Sequence, residues 1–275
     1  MAETVVPGED QAISRRIEET AQREGLGAVR SVYPVGRKPE SSTWAWVVTG
    51  GLVLAAVITG VTGAHSGRTH WAGFFGMVAF LWFLITLGIY LRGRNYSRKL
   101  AGGRLEVREH GLVIGYRDRA VGVRYDTVRV YQNLVRHMRN GVDNGTTYTY
   151  TFFLSGKRIP VIIDHSFTGV QQWGPEIQQA VVNAQAPLAL ARLRAGEKVE
   201  FGTLWITATE VGTLVDSAPW GQVTGLTIAD GAVKLHSVDG PLNLRGKPIK
   251  DIPNFFVFRA LFEHLRQAHN PAAAG

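Results

Sequence analysis

The strongest constraint on this chain lies between residues 44 and 91. There two apolar runs, Trp44 to Ala64 and Trp71 to Leu91, flank the polar hexapeptide His65-Ser66-Gly67-Arg68-Thr69-His70. Each run of about 21 residues would make roughly 31 Å of helix, close to the roughly 30 Å hydrocarbon thickness of a bilayer. Neither run contains Asp, Glu, Lys, Arg or His. In lipid only helices and closed barrels satisfy their own backbone, and the in-out alternation of barrel strands is missing. The runs therefore predict a two-helix transmembrane hairpin. Trp44, Trp46, Trp71 and Tyr90 stand at its ends, where amphipathic rings favour the headgroup boundary. Two buried helices are the competing reading, but such helices are usually shorter than these runs.

Charge orients the hairpin. Arg37 and Lys38 precede it, Arg92, Arg94, Arg98 and Lys99 follow it, and the intervening loop holds only Arg68. The positive-inside rule then predicts a multi-pass protein of the cell membrane with both termini cytoplasmic. The formal net charge is +8, and residues 92–140, with twelve cations against four anions, account for all of it. With a membrane as the expected integral partner, this basic excess points to anionic lipid headgroups rather than nucleic acid. The candidate lipid-binding residues are Arg92, Arg94, Arg98, Lys99, Arg117, Arg119, Arg124 and Arg129. The first four also serve topology, so the last four carry the distinction. There is no cysteine, which excludes disulfides, thiolate metal sites and a cysteine nucleophile.

The chain on either side divides by pattern. Residues 1–43 form an N-terminal arm with a short helix over about Asp10 to Glu24, where Ile13, Ile17 and Ala21 recur at i+4 and Gly25 ends it. From residue 100 the period changes from helix to strand. Leu105 and Val107, Leu112 and Ile114, then Val121, Val123 and Tyr125 alternate with polar residues, with turns at His110-Gly111 and Asp118-Arg119. Thr127 to Met138 and Thr146 to Ser155 flank Asn140-Gly141 and Asn144-Gly145, both hairpin signals. A helix follows through Trp173, Ile177, Val181 and Ala184, with Pro175 expected in its first turn, and a separate short helix over Pro187 to Gly196.

The order then repeats. Gly103-Arg-Leu-Glu-Val107 parallels Gly202-Thr-Leu-Trp-Ile206, Gly111-Leu-Val-Ile parallels Gly212-Thr-Leu-Val, and Tyr125-Asp-Thr-Val128 parallels Trp220-Gly-Gln-Val223. Phe255, Phe258, Phe262 and Leu265 form the stripe of a last helix, with Asn254 as its N-cap. This predicts a first β domain over 100–185 and a second over 196–270. Short antiparallel strands closed by a C-terminal helix resemble the pleckstrin-homology-like fold. Residues 44–268, through Ser166-Phe-Thr-Gly-Val-Gln-Gln-Trp-Gly-Pro175, Ala195-Gly-Glu-Lys-Val-Glu-Phe-Gly202 and Ile252-Pro-Asn-Phe-Phe-Val-Phe258, resemble an uncharacterised bacterial family of two-span membrane proteins with tandem domains of that kind. The expected fold class is thus α+β with membrane helices: a transmembrane hairpin, then two small antiparallel sheet or open-barrel units, each closed by a helix.

No phosphate-binding loop, dinucleotide fingerprint, zinc-protease motif or nucleophile elbow occurs in the chain. His65 and His70 read as solvated loop residues, Asp164-His165-Ser166 as a turn rather than a triad, and Trp220 as core. The sequence therefore implies no catalysis, metal or cofactor. It implies a membrane-tethered binding or scaffold protein with an unknown protein partner or anionic lipid. The alternative is an oligomeric membrane component such as a channel or transporter accessory subunit, favoured by the small-residue row Ala56, Gly60, Ala64.

Overall fold

A computed structural model describes residues 7–36, 50–51, 54, 58, 77–78, 80–88, 102–139, 142–229, 231–242 and 248–269. Its first helix, α1 (Pro7–Glu24), buries Ile13, Ile17 and Ala21, joined by Leu26, against Val113 and Ala120. The seat for this helix is made of glycine. A methyl group at Gly115 would collide with Ile17, one at Gly111 with Leu26 and the Val123 carbonyl, and one at Gly122 would crowd Glu24 and Thr20. The helix stops at Gly25, whose φ of 63° is a left-handed turn open to glycine at little cost.

The strand that follows, β1 (Val29–Pro34), pairs antiparallel with β2 (Arg104–Arg108), setting Pro34 opposite Arg104 and Tyr33 opposite Leu105. The Val35 N–H also donates to the Gly103 carbonyl at 3.0 Å. All the chain between Gly36 and Gly102 is therefore an excursion that leaves and rejoins one sheet at neighbouring strand ends. With β3 (Gly111–Gly115) and β4 (Ala120–Arg124) the sheet has the order β1-β2-β3-β4. Its two faces differ. Leu105, Val107, Leu112, Ile114 and Val123 enter the main core, while Glu106 and Arg108 face α1. There the buried Arg108 guanidinium meets Glu106 and Glu18, each at 2.7 Å, and Arg104 completes the network at 2.8 Å from Glu106.

A second sheet holds β5 (Arg129–Arg139), β6 (Val142–Phe153) and β7 (Val161–Ile163). Arg139 pairs with Val142, so only the first Asn-Gly lies between strands, at residues outside those described; the second lies within β6. The helix α2 (Val170–Arg194) closes this half as one 25-residue element rather than two, with Pro175 and Pro187 both inside it. Each proline costs a helix interior about 3 kcal/mol. Burial of Trp173, Ile177 and Val181 before Pro187, and of Ala189 and Leu193 after it, holds the helix through the breaks.

Gly196 (φ 78°) ends α2 as Gly25 ends α1, and the second half repeats the arrangement. Four strands, β8 (Val199–Phe201), β9 (Leu204–Ile206), β10 (Glu210–Thr213) and β11 (Ser217–Pro219), form one sheet. Three more, β12 (Val223–Ala229), β13 (Ala232–Ser237) and β14 (Gly240–Pro241), form another, and α3 (Phe255–His269) closes it. Tyr125 and Trp220 occupy equivalent places, each buried just before the first strand of a three-stranded sheet. Trp220 is core, edge-on to Phe262 at 5.6 Å, with its Nε1–H donating to the Thr207 carbonyl at 3.1 Å. One apolar core runs through both halves.

The expected fold class is corrected in its first part. Among the described residues no helix is long and apolar enough to cross a membrane. At 25 residues α2 has the length, but Gln, Glu, Asn and Arg recur along it. The chain is α+β with four small antiparallel sheets among the described residues, and the first sheet draws its edge strand from ahead of the apolar segment. The transmembrane hairpin, the integral two-span membrane partnership and the multi-pass location with cytoplasmic termini are therefore not supported. Most of 44–91, with the 65–70 loop and Ala56, Gly60 and Ala64, lies outside the described residues.

Two outcomes follow from the core. Phe258 is fully buried among Phe201, Phe255 and Phe262 at ring distances of 5.5, 6.2 and 6.0 Å, so Phe258→Ala is expected to cost about 3 to 5 kcal/mol in chemical denaturation. Burial pushes the Tyr150 phenol up to about 12 from 10.0, and raises Tyr125 as well. A raised phenol contributes stability that is complete below its unfolded value and is lost as pH rises through the folded one. Melting temperature is therefore expected to fall between about pH 10 and 12, and Tyr150→Phe to flatten part of that fall.

Candidate functional site

The two halves meet at Asn254. Its backbone has φ 50°, rare for a residue other than glycine, and its side chain is buried. The carbonyl caps α3, accepting from the Val257 and Phe258 N–H groups at 2.9 and 3.1 Å. The side chain does not cap the helix as the sequence suggested. Oδ1 accepts from the Val130 N–H at 2.7 Å, and Nδ2 donates to the Val128 carbonyl at 3.0 Å and to Gln185 Oε1 at 2.8 Å. Gln185 Nε2 in turn donates to the carbonyls of Tyr125 and Val128 at 2.7 and 2.9 Å. The Asn254 N–H donates to the Val130 carbonyl at 2.8 Å. One residue of the second half thus takes both polar groups of Val130 in β5 and one amide of α2.

Beside this junction opens a cleft of about 730 Å³. Its first wall is β5 at Gln132, Asn133 and Leu134, with Gln178 of α2. Gln178 Nε2 donates to Gln132 Oε1 at 3.0 Å and to the Tyr150 hydroxyl at 2.7 Å, which fixes that wall. The opposite wall is Ile228 of β12 with Pro248, Ile249 and Lys250, and the floor is Phe255 and Phe256. Lys250 and Arg259 stand exposed at its rim, and neither makes an ion pair among the described residues. No carboxylate, imidazole or hydroxyl lines the cleft among the described residues. A smaller hollow of about 280 Å³ lies at the same junction, with Arg129, Arg192, Asp126 and Glu200 around Asn254.

Of the basic residues singled out in the sequence, the four described, Arg117, Arg119, Arg124 and Arg129, do not share one site. Arg92, Arg94, Arg98 and Lys99 lie outside the described residues. Arg117 and Arg119 share the turn between β3 and β4. The Arg117 carbonyl accepts from Arg16, and the Arg119 guanidinium stands 5.2 Å from the Tyr116 ring. Arg124 lies at the far end of β4, roughly 16 Å along the strand from Arg119. It is engaged with Asp126 at 2.7 Å and with the Glu24 carbonyl at 2.9 Å, and its hydrogen bond holds the Asp126 carboxyl below the usual range. Arg129 belongs to the smaller hollow. Asp164 Oδ1 accepts from the Ser166 N–H at 2.9 Å, a turn. Among the described residues no group of three or more His, Asp or Glu side chains could hold a metal ion. Sequence reasoning missed Gln132, Gln178, Lys250 and Arg259. The available signal was Arg259, a cation set inside the apolar run Phe255 to Phe262.

Fold and site together define an α+β protein of two like halves, with an amphipathic, cation-rimmed cleft where they join. The chain belongs to DUF6585, a family of unknown function, which it matches over residues 11–271. The two-span membrane family expected from sequence is replaced by this assignment. No curated protein and no solved structure matches the chain.

Replacing Asn254 separates the two parts of its role. Asn254→Ala strands the Val130 N–H and keeps a side chain in left-handed backbone, with an expected loss of about 3 kcal/mol in denaturant titration. Asn254→Gly relieves the backbone and not the hydrogen bonds. It is expected to recover about 1 kcal/mol of that loss and no more than about 2.

Proposed function

We propose that this chain is a non-catalytic binding protein, an adaptor or scaffold, whose ligand occupies the cleft between its halves. The observation that carries the reading is the chemistry of the lining. Leu134, Ile228, Ile249, Phe255 and Phe256 provide apolar surface, the amides of Gln132, Asn133 and Gln178 provide orientation, and Lys250 and Arg259 provide positive charge. Apolar walls with a few convergent polar groups, in a volume of several hundred Å³, suit a ligand site. Proton transfer needs a general acid or base within reach of the reacting atom, and the described lining offers amides and two cations instead. The ligand that fits carries apolar groups and negative charge together.

The fluorescent anion anilinonaphthalene sulfonate has this combination and serves as the probe. Saturable binding of one probe per chain is expected, weakened by about tenfold or more in the Lys250→Glu, Arg259→Glu double variant and by Ile228→Glu. All three positions are at the surface, so melting temperature should hold. Equal binding by the wild type and the variants would place the probe elsewhere and defeat the reading.

A further inference from the structure

We infer that the outer face of the sheet β5-β6-β7 binds single-stranded nucleic acid, with bases stacked on Tyr131 and Phe153 and phosphates held by Arg129, Lys157 and Arg158. This goes beyond the binding reading above, because the cleft takes Gln132 and Leu134 from the other side of β5. The register of the three strands defines the face. Tyr131 pairs with Thr151 and Thr151 with Ile162, so these side chains form one row across the sheet. Alternation puts Phe153 and Arg129 on the same side at one end of the row, and Thr149, Thr147 and Val135 at the other. The opposite side carries Val130, Tyr150 and Phe152, all buried in the core. The row side is open: Phe153, Val135 and Ile162 are 37%, 41% and 53% exposed. On it the rings of Tyr131 and Phe153 meet edge-on, with centroids 5.2 Å apart and planes at 71°. An edge-on pair uses one face of one ring and an edge of the other, which leaves ring faces for a third planar group.

The chemistry around the rings selects the occupant. Lys157 and Arg158 are exposed in the turn that follows Phe153, where the Lys157 N–H donates to the Leu154 carbonyl at 3.2 Å. Arg129, opposite Phe153, stands at the margin that this face shares with the smaller hollow. Three cations thus border the aromatic end of the face. Aromatic rings flanked by cations match unpaired bases on a phosphate backbone, because each base offers a ring to stack and each link an anion to pair. The half-buried Thr149 and Thr151 add hydroxyls that can meet base edges or sugars. From Arg129 to Val135 the face runs roughly 20 Å, room for about four nucleotides. A duplex is disfavoured, since its bases are already stacked on one another and present no free ring. An anionic lipid surface would satisfy the cations, but seating the rings in it would press the threonine hydroxyls against acyl chains.

The test measures fluorescence anisotropy of labelled ten-nucleotide oligouridine RNA and oligothymidine DNA mixed with the full chain. Both are expected to bind, more tightly than a duplex of the same length. Log affinity is expected to fall against log salt with a slope of about −2, as for about three phosphates neutralised on a single strand. Affinity is expected to drop about tenfold or more in the Lys157→Glu, Arg158→Glu variant. It is expected to drop about tenfold in Tyr131→Leu, Phe153→Leu, which keeps apolar bulk and removes the rings. Melting temperature is followed for each variant, and Phe153→Leu alone, at the more exposed ring, serves where the double variant melts early. The cleft variant Lys250→Glu, Arg259→Glu should bind the oligonucleotides as the wild type does. Binding that falls with the charges and not with the rings would overturn stacking on this face, and so would a duplex bound as tightly as the single strands. Loss in the cleft variant alone would move the oligonucleotide to the cleft and overturn the face. Failure of both oligonucleotides to bind would overturn nucleic acid as the occupant, and sedimentation of the chain with phosphatidylserine vesicles in that case would put lipid in its place.

Discussion

The two halves share one apolar core, and a single amide ties them at its edge. Asn254 stands where the chain must turn sharply into α3, and a left-handed backbone there is costly for any residue with a Cβ. Asparagine tolerates that conformation better than most. It also brings a donor and an acceptor, and here both are used within the protein, on Val130, Val128 and Gln185. The strain and the hydrogen bonds support one another: the backbone turn aims the amide at β5, and the amide holds the turn. Because the contact also involves Gln185, it ties together β5, α2 and α3, three elements far apart in the chain. The walls of the cleft are set by the same contact, since Gln132 and Leu134 follow Val130 on β5 and Phe255 and Phe256 follow Asn254 on α3.

A second constraint acts at the other end of the first half. Pairing of β1 with β2 joins residues on either side of the whole apolar segment, so that segment is an insertion within one sheet rather than a link between separate parts. The pairing needs support, because closing so long a loop costs conformational entropy. Part of that support is α1 seated on the glycine floor, and part is the ion network of Glu106, Arg108, Arg104 and Glu18 beneath it. Glu106 and Arg108 are 3% and 4% exposed. Burying either alone would be strongly unfavourable, and their mutual hydrogen bonds compensate the loss of water. The partly exposed Glu18 completes the set, its carboxyl lowered first by the hydrogen bond from Arg108. On the opposite side of β1, Ser31 and Tyr33 donate to the Glu176 carboxylate at 2.6 and 2.8 Å, which binds the strand to α2 as well.

Much of the strand pattern was legible because alternation reports burial directly. Leu105 and Val107, Leu112 and Ile114, and Trp220 with Phe255, Phe258 and Phe262 are buried, as the spacing of apolar residues indicates. Other elements were not legible. Pro175 and Pro187 signal helix breaks, and only the core contacts of Trp173, Ile177, Ala189 and Leu193 explain why α2 runs through them. Gly111, Gly115 and Gly122 look like weak points in strands until α1 is placed on them. Of the basic residues of 92–140, Arg104, Arg108 and Arg124 are spent on carboxylates, a pairing that the run of charges does not reveal. The apolar runs at 44–91 predicted membrane spans through composition and length, whereas among the described residues no helix is long and apolar enough to cross a membrane.

By itself the sequence determined that the chain is α+β, that it has antiparallel strands with a helix after each set, and which apolar side chains form the core. These follow from local periodicity, because burial of one face of a strand or helix requires a fixed spacing whatever lies against it. Tertiary structure alone decided that β1 belongs beside β2, that Asn254 reaches Val130 rather than its own helix, and that Gln132, Lys250 and Arg259 surround one cleft. Those facts depend on residues more than 70 positions apart for Val32 and Glu106, and more than 120 for Val130 and Asn254. No local pattern encodes such a distance, because it is set by how whole sheets and helices settle against a shared core.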